Sequence, residues 1–276
     1  MSVGVRFRYL DSPVPLAFAH RGGAAEGDEN TAEAFGRAVA LGYRYVETDV
    51  HATADGVPVV FHDPSLRRLT GTAGRVADLR WADLATLRVG GAGAVPRLDD
   101  VLAAWPQVRF NIDVKADDAA GPTVEAVRRA GAGDRVLLAS FSDARLARVR
   151  ALAGPGIATS LGQREVLRLR VSSVAGTRLR LPASAAAAQV PARFGPVTVV
   201  DRRFVGRAHR LGLQVHVWTV DDPAEMHRLL DLGVDGIMTD RTAVLRDVYA
   251  ARGAWPSRVT GALTARDTSM IIDARC

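Results

Sequence analysis

Two histidines and a set of carboxylates recur in this sequence at one kind of place, the polar end of a short apolar stretch. His20-Arg21 ends the first such stretch, Glu47, Asp49 and His51 punctuate the second, His62-Asp63 ends a short piece after it, and Asp113 and Lys115 close the third. An imidazole titrates near neutral pH, so one of a pair can accept a proton while the other donates one. Cleavage of a phosphodiester needs both acts: the nucleophile loses a proton and the leaving alkoxide gains one. On a strand, side chains two apart share a face. Glu47 and Asp49 therefore point one way together, as do Asp113 and Lys115. Three carboxylates in one partly buried place repel unless a cation sits among them. An all-oxygen donor set suits Mg²⁺, Ca²⁺ or Mn²⁺ rather than zinc. Arg21 and Lys115 add positive charge for a phosphoryl group. Taken singly, each charged pair reads equally as a salt bridge and each histidine as structural. Together they point to a metal site between two acid–base histidines, His20 and His62.

The background sharpens the signal. Of 36 basic residues only Lys115 is a lysine. A compact ammonium on a thin stem goes where the wide guanidinium fork does not fit. The net charge of +6 favours anionic partners, but no basic run is interleaved with aromatics, which argues against nucleic acid. One cysteine, Cys276, excludes both a disulfide framework and a cysteine metal site. No early stretch has the pattern of a secretory signal and no apolar run reaches the ~18 residues of a membrane helix, so a cytoplasmic protein without a transmembrane segment is expected.

The elements that must position these groups follow from periodicity. Strands are expected at Leu16–His20, Tyr45–His51, Pro58–His62, Arg109–Lys115, Val136–Phe141, Ile157–Leu161, Gln214–Val220 and Gly236–Thr239, with one more near Arg178–Leu181 or Ala187–Val190. Helical segments lie between them, the first over Thr31–Leu41 with Asn30 or Thr31 as its cap. About eight β–α units in 276 residues favour a closed (β/α)8 TIM barrel, an α/β fold. A Rossmann sheet would show G-x-G-x-x-G after its first strand, and His20-Arg21-Gly22-Gly23 is not that pattern. The segment 64–96 breaks the rhythm and reads as an inserted subdomain after the second strand. The barrel domain is expected over 14–250, with 251–276 a tail without periodicity, expected to be disordered. His51 reads as a supporting or exposed group, His209 and His227 as surface or packing residues, and His216 as facing either way. Phe141 and Trp218 could wall a small organic group.

The ordered set His20-Arg21-Gly22, Glu29-Asn30-Thr31, Glu47-x-Asp49, Asp55-Gly56, His62-Asp63, Asp113-x-Lys115, Trp218-Thr219-Val220 and Asp235-Gly236-Ile237-Met238-Thr239-Asp240 resembles the glycerophosphodiester phosphodiesterase family from about Leu16 to Asp240. The resemblance implies a TIM barrel with an insertion after its second strand and hydrolysis of glycerophosphodiesters to sn-glycerol 3-phosphate and an alcohol. It implies His20 and His62 as the acid–base pair, and Glu47, Asp49 and Asp113 as ligands of a divalent ion, Ca²⁺ or Mg²⁺. Arg21, Lys115 and Trp218 would meet the substrate, with Glu29 and Asn30 in support. It also implies attack by the glycerol 2-hydroxyl through a cyclic phosphate. Two positions depart from the family pattern: Asp28 where proline is common, which would loosen the loop after the first strand, and Asp113 where a longer glutamate is common. The competing readings are lysophospholipase D-type action on a lysophospholipid, favoured by an apolar rim on 64–96, a non-catalytic phosphate- or lipid-binding barrel, and a Schiff-base enzyme using Lys115. The last needs a depressed lysine pKa, and Asp113 opposes that.

Overall fold

A strand that is apolar on both faces needs parallel neighbours beside it and helices outside. The computed structural model describes residues 6–91 and 93–255 and solves that problem by closure. Eight strands, β1 (Leu16–Ala19), β2 (Tyr45–Ala52), β3 (Arg109–Val114), β4 (Val136–Ala139), β5 (Ala158–Ser160), β6 (Ala185–Pro191), β7 (Gln214–Trp218) and β8 (Gly236–Thr239), pair in parallel in chain order. The first strand pairs with both β2 and β8, which closes the ring. A helix follows each strand: α1 (Ala32–Ala40), α2 (Leu98–Ala104), α3 (Ala120–Arg129), α4 (Asp143–Ala153), α5 (Gln163–Ala175), α6 (Arg202–Arg210), α7 (Pro223–Asp231) and α8 (Thr242–Ala251). Local chemistry sets several of the starts. Thr31, Ser142, Asp201 and Asp222 each accept the amide three residues on, and Pro223 stands where its missing N–H costs nothing.

The pleat sorts β2 and β3. Val46, Val50, Phe110, Ile112 and Val114 join the core under the helices. Their alternate neighbours turn into the barrel, where Glu47 is level with Asn111 and Asp49 with Asp113. The piece after β2 is Pro58–Val60, antiparallel to the end of β2 and outside the parallel ring. Of the two positions open for the sixth strand, the alanine-rich one forms it, and all of Ala185–Ala188 are buried. The apolar run at 197–200 becomes half of a small hairpin, Arg193–Phe194 against Val197–Thr198.

Packing extends past 14–250 at both ends. Phe7, Tyr9 and Leu10 are buried with Tyr45 and Leu137 in the cluster inside the barrel, and the Tyr45 hydroxyl donates to Tyr9 O at 2.8 Å. Trp255 stands edge-on to Tyr43 at 5.0 Å. The rest of the expected tail, 256–276, lies outside the described residues. Segment 64–96 holds short helices Arg67–Thr70 and Trp81–Leu84 and a two-stranded ladder, and Leu66, Val76, Leu84, Val89 and Val95 form a core of their own with Val59 and Phe61. The apolar rim that would favour lipid is not there: among the described residues, no large exposed apolar side chain falls in 64–96. No helix among them is long and apolar enough to cross a membrane.

Candidate active site

The barrel brings the groups singled out in the sequence to the C-terminal ends of β1, β2 and β3 and to the segment after Val60. As β1 ends, the chain turns through a 3₁₀ turn, His20–Gly22, with Arg21 at φ 53° and Asn30, further along the loop, at φ 62°. These left-handed conformations cost a non-glycine residue about 1 kcal/mol or more, and both are tied down. The Arg21 amide donates to Glu47 Oε2 at 3.1 Å and its guanidinium to Glu29 Oε1 at 2.8 Å. The Asn30 side chain donates to Asp49 Oδ2 at 2.9 Å and accepts from the Thr48 hydroxyl at 2.8 Å. Asn30 is thus a clamp on β2, and Thr31 is the helix cap. The loop is not loosened at Asp28, whose carboxylate is gripped by both terminal nitrogens of Arg37.

Both histidines have a carboxylate on Nδ1. His20 Nδ1 lies 2.6 Å from Asp240 Oδ1, and His62 Nδ1 lies 2.6 Å from Asp63 Oδ1. Such a partner fixes the tautomer and leaves Nε2 as the working nitrogen. His20 Nε2 stands 3.7 Å from Glu47 Oε2. Burial works against protonation of His20, but Glu47 and Asp240 outweigh it and hold its pKa above the ordinary value. His51 is buried and donates from Nε2 to the carbonyl of His62 at 3.1 Å. Burial lowers its pKa below the ordinary value, and its bond to that carbonyl braces the His62 backbone.

Burial, with Asp49 beside it, pushes the Glu47 carboxyl up to about 7. Asp49 is equally buried, but Lys115 and Arg21 overcome the burial and hold it below the usual carboxylate range. Asp113 is raised by burial despite Lys115. Lys115 Nζ lies 2.7 Å from both Asp49 Oδ1 and Asp113 Oδ2, and these carboxylates keep it firmly charged against the burial that opposes it. A Schiff-base role is therefore disfavoured. With the Lys115 ammonium between Asp49 and Asp113, the three carboxylates do not close on one point as expected: among the described residues no three possible ligands form one group. The Lys115 ammonium fills the space between two of them. The chemistry still fits a hard cation. Asp113 Oδ1 is buried and accepts no hydrogen bond. Three buried carboxylates also face two cations, and one of these, Arg21, is shared with Glu29.

Three supporting residues were not singled out from the sequence. Arg68, from the insertion, donates to both oxygens of Glu29 at 2.9 and 2.7 Å, and its Nε donates to Asp63 Oδ2 at 2.6 Å. A chain of charges therefore runs from Arg21 through Glu29, Arg68 and Asp63 to His62. Asp240 and Asp63 stand in motifs but had no role; the signal for Asp63 was its place directly after His62. Phe141 is exposed beside Trp218, ring centroids 5.4 Å apart, with Lys115 5.5 Å above the Phe141 ring. His209 pairs with Asp235 and His227 meets Arg252, both at the surface. His216 is wholly buried in the barrel. A surface cavity of about 530 Å³ between α2 and α3, lined by Asp99, Leu102, Arg129 and Arg135, contains none of these groups.

Residues 20–244 match the model of the glycerophosphoryl diester phosphodiesterase family. A protein of Mycobacterium tuberculosis named "Probable glycerophosphodiester phosphodiesterase 2" is 43% identical, over 87% of this chain and 92% of its own length. A human lysophospholipase D is 26% identical over 83% of this chain and 84% of its own. The structure of an Oleispira antarctica phosphodiesterase, in complex with the product sn-glycerol-3-phosphate, superposes with a TM-score of 0.71 over 86% of this chain and 97% of that one; at 23% identity it speaks for the fold. The family match takes in both histidines, all three carboxylates and the arginine and lysine beside them, so this chain belongs to the glycerophosphoryl diester phosphodiesterase family, a family of phosphoric diester hydrolases.

Proposed function

We propose that this phosphodiesterase cleaves glycerophosphodiesters to sn-glycerol 3-phosphate and an alcohol, with His20 and His62 as its proton-transfer pair. The observation that carries the reading is the matched pair of imidazoles, each with a carboxylate 2.6 Å from Nδ1 and its Nε2 left for the substrate. One imidazole takes the proton of the glycerol 2-hydroxyl as that oxygen attacks phosphorus. The other gives a proton to the departing alkoxide, and the two exchange roles as water opens the cyclic phosphate. Arg21 and Lys115 face the phosphoryl charge, Trp218 walls the mouth, and Glu29 and Asn30 hold the loop that carries His20 and Arg21. Glu47, Asp49 and Asp113 would hold a divalent ion, Ca²⁺ or Mg²⁺, which when bound supplies positive charge to the phosphoryl oxygens.

The test is release of glycerol 3-phosphate from glycerophosphocholine, glycerophosphoethanolamine and glycerophosphoinositol, and of lysophosphatidate from a lysophospholipid, with and without chelator. The lysophospholipid is included because the exposed Phe141, beside the half-buried Trp218, gives the mouth an apolar wall. We expect chelator-sensitive release. His20→Ala and His62→Ala should each lose roughly 10²–10⁴-fold in kcat while keeping the wild-type circular dichroism. Either variant retaining wild-type turnover would remove that residue from the chemistry.

A further inference from the structure

Two asymmetries coincide on one side of this barrel. The first is apolar. Seven large apolar side chains stand exposed among the described residues, and five of them fall between 167 and 197: Leu167, Val171, Val174, Phe194 and Val197. Leu167, Val171 and Val174 lie at i, i+4 and i+7 on α5, which makes one stripe roughly 10 Å long at 1.5 Å per residue. Phe194 and Val197 face each other across the tip of the 193–198 hairpin, and Phe194 is 76% exposed. A polar turn would serve a solvent-facing hairpin better than Phe-Gly-Pro-Val.

The second asymmetry is charge. Between Gln163 and Arg203 the sequence holds eight arginines and two carboxylates, a surplus of six. The whole chain, with 36 basic and 30 acidic residues, also has a surplus of six, so the remainder is neutral overall. The two carboxylates are already spoken for: Glu165 pairs with Arg150 at 2.8 Å and Asp201 with Arg170 at 2.9 Å. Arg168, Arg178, Arg193, Arg202 and Arg203 are exposed in the same stretch of chain.

The hairpin end of this face lies beside the rim of the active site. The hairpin follows directly on β6, whose last residue, Pro191, is level with Trp218 on β7. Trp218 in turn meets the exposed Phe141. The Asp201–Arg170 pair ties the far end of the hairpin segment to α5. An apolar stripe rimmed by arginines is the pattern of a segment lying in the interface of an anionic lipid layer. A second copy of the chain fits the same face poorly, because a twofold interface would set the positive surplus against itself.

We propose that the outer face of α5 and the 193–198 hairpin dock on an anionic lipid bilayer, which places the barrel mouth at the lipid–water boundary. The docking is independent of catalysis; its use, access to lipid-borne glycerophosphodiesters, rests on the function proposed above. The test is cosedimentation of the full chain with phosphatidylcholine vesicles, with and without phosphatidylglycerol, at low and high salt and without substrate. Hydrolysis of water-soluble glycerophosphocholine without vesicles is measured alongside. We expect binding to the phosphatidylglycerol vesicles that weakens in high salt. Phe194→Ser with Val197→Ser should reduce partitioning roughly a hundredfold or more, since two large apolar side chains leave the lipid together. Arg168→Gln with Arg193→Gln should reduce it and flatten its salt dependence. Both double variants should keep wild-type melting temperature and glycerophosphocholine turnover. Three outcomes would overturn the docking: no binding of the wild type, binding unaffected by the hairpin variant, or a wild-type dimer that the hairpin variant makes monomeric. Failure of glycerophosphocholine hydrolysis would count against the proposed function and leave the docking result standing.

Discussion

His216 makes the stability of this barrel sensitive to acid in a way one substitution should remove. It sits wholly buried on β7, 4.9 Å from the ring of Phe18, in a line of neutral polar groups across the barrel interior. Its Nε2–H donates to Gln214 Oε1 at 2.9 Å, and Nδ1 accepts from Gln189 Nε2 at 3.3 Å; that amide also donates to Asn111 Oδ1 at 2.9 Å. A proton on Nδ1 would face the Gln189 donor, and turning the Gln189 amide over would break its bond to Asn111. With burial leading and Asp235 only partly opposing it, the pKa of His216 is pushed down to about 4. The unfolded chain takes up this proton near 6.5 and the folded chain near 4. The neutral form is the one the fold favours, so its stability is full above pH 6.5 and drains away as pH falls towards 4. At 1.36 kcal/mol per unit, that interval is worth roughly 3 kcal/mol. His216→Gln keeps a polar amide and removes the titration. Urea unfolding of both proteins across pH 7 to 4 isolates the histidine, because the carboxylates titrate in both. At pH 7 the variant should be the less stable, through imperfect packing. By pH 4 the gap should have narrowed by roughly 3 kcal/mol. A gap that stays constant with pH would show that the buried imidazole takes its proton as readily in the folded state as in the unfolded one.

Two further outcomes follow from the geometry. Arg68→Ala cuts the link between Glu29 and Asp63; kcat on glycerophosphocholine should fall roughly ten- to a hundredfold, as for other groups that orient a working ligand. Arg68 is half exposed and the buried Glu29 keeps its bond to Arg21, so the stability loss read from urea midpoints should be about 1–2 kcal/mol, and an unchanged kcat would refute the positioning role. Gly22→Ala should destabilise by roughly 2–4 kcal/mol, read from urea midpoints, because φ is +83° and the new Cβ would lie 2.8 Å from Phe35 Cδ1 and 2.9 Å from Ala34; a loss under about 1 kcal/mol would show that the turn has room to relax.

What could be read from the sequence was whatever local spacing determines. The period of two in β2 and β3 puts Glu47, Asp49 and Asp113 inside the barrel whatever the rest of the chain does, and an ionisable group after an apolar run marks a strand end. The (β/α)8 ring followed from the count of alternations. Contacts that depend on distant chain were not legible. Asp240 reaches His20 across 220 positions and Arg68 reaches Glu29 across 39, and no period carries such information. The sixth strand was ambiguous because alanine has no strand preference of its own; Ala185–Ala188 are extended because the ring needs a small-residue strand between β5 and β7. The Phe7–Leu10 segment has no repeat to read, yet it plugs the barrel beneath Tyr45. The carboxylates show the limit most clearly. Strand period could say that Asp113 and Lys115 share a face, but not that the ammonium would lie equally near Asp49 and Asp113. That position follows from the register of β2 against β3, which sets Asp49 level with Asp113 and leaves one flexible cation between them. With its amine held there, Lys115 is at once the charge that lets two buried aspartates approach and the group beside the oxygen, Asp113 Oδ1, that has no partner. Arginine is the usual cation of this chain, but its wide guanidinium would not sit equally between the two aspartates as the lone ammonium does.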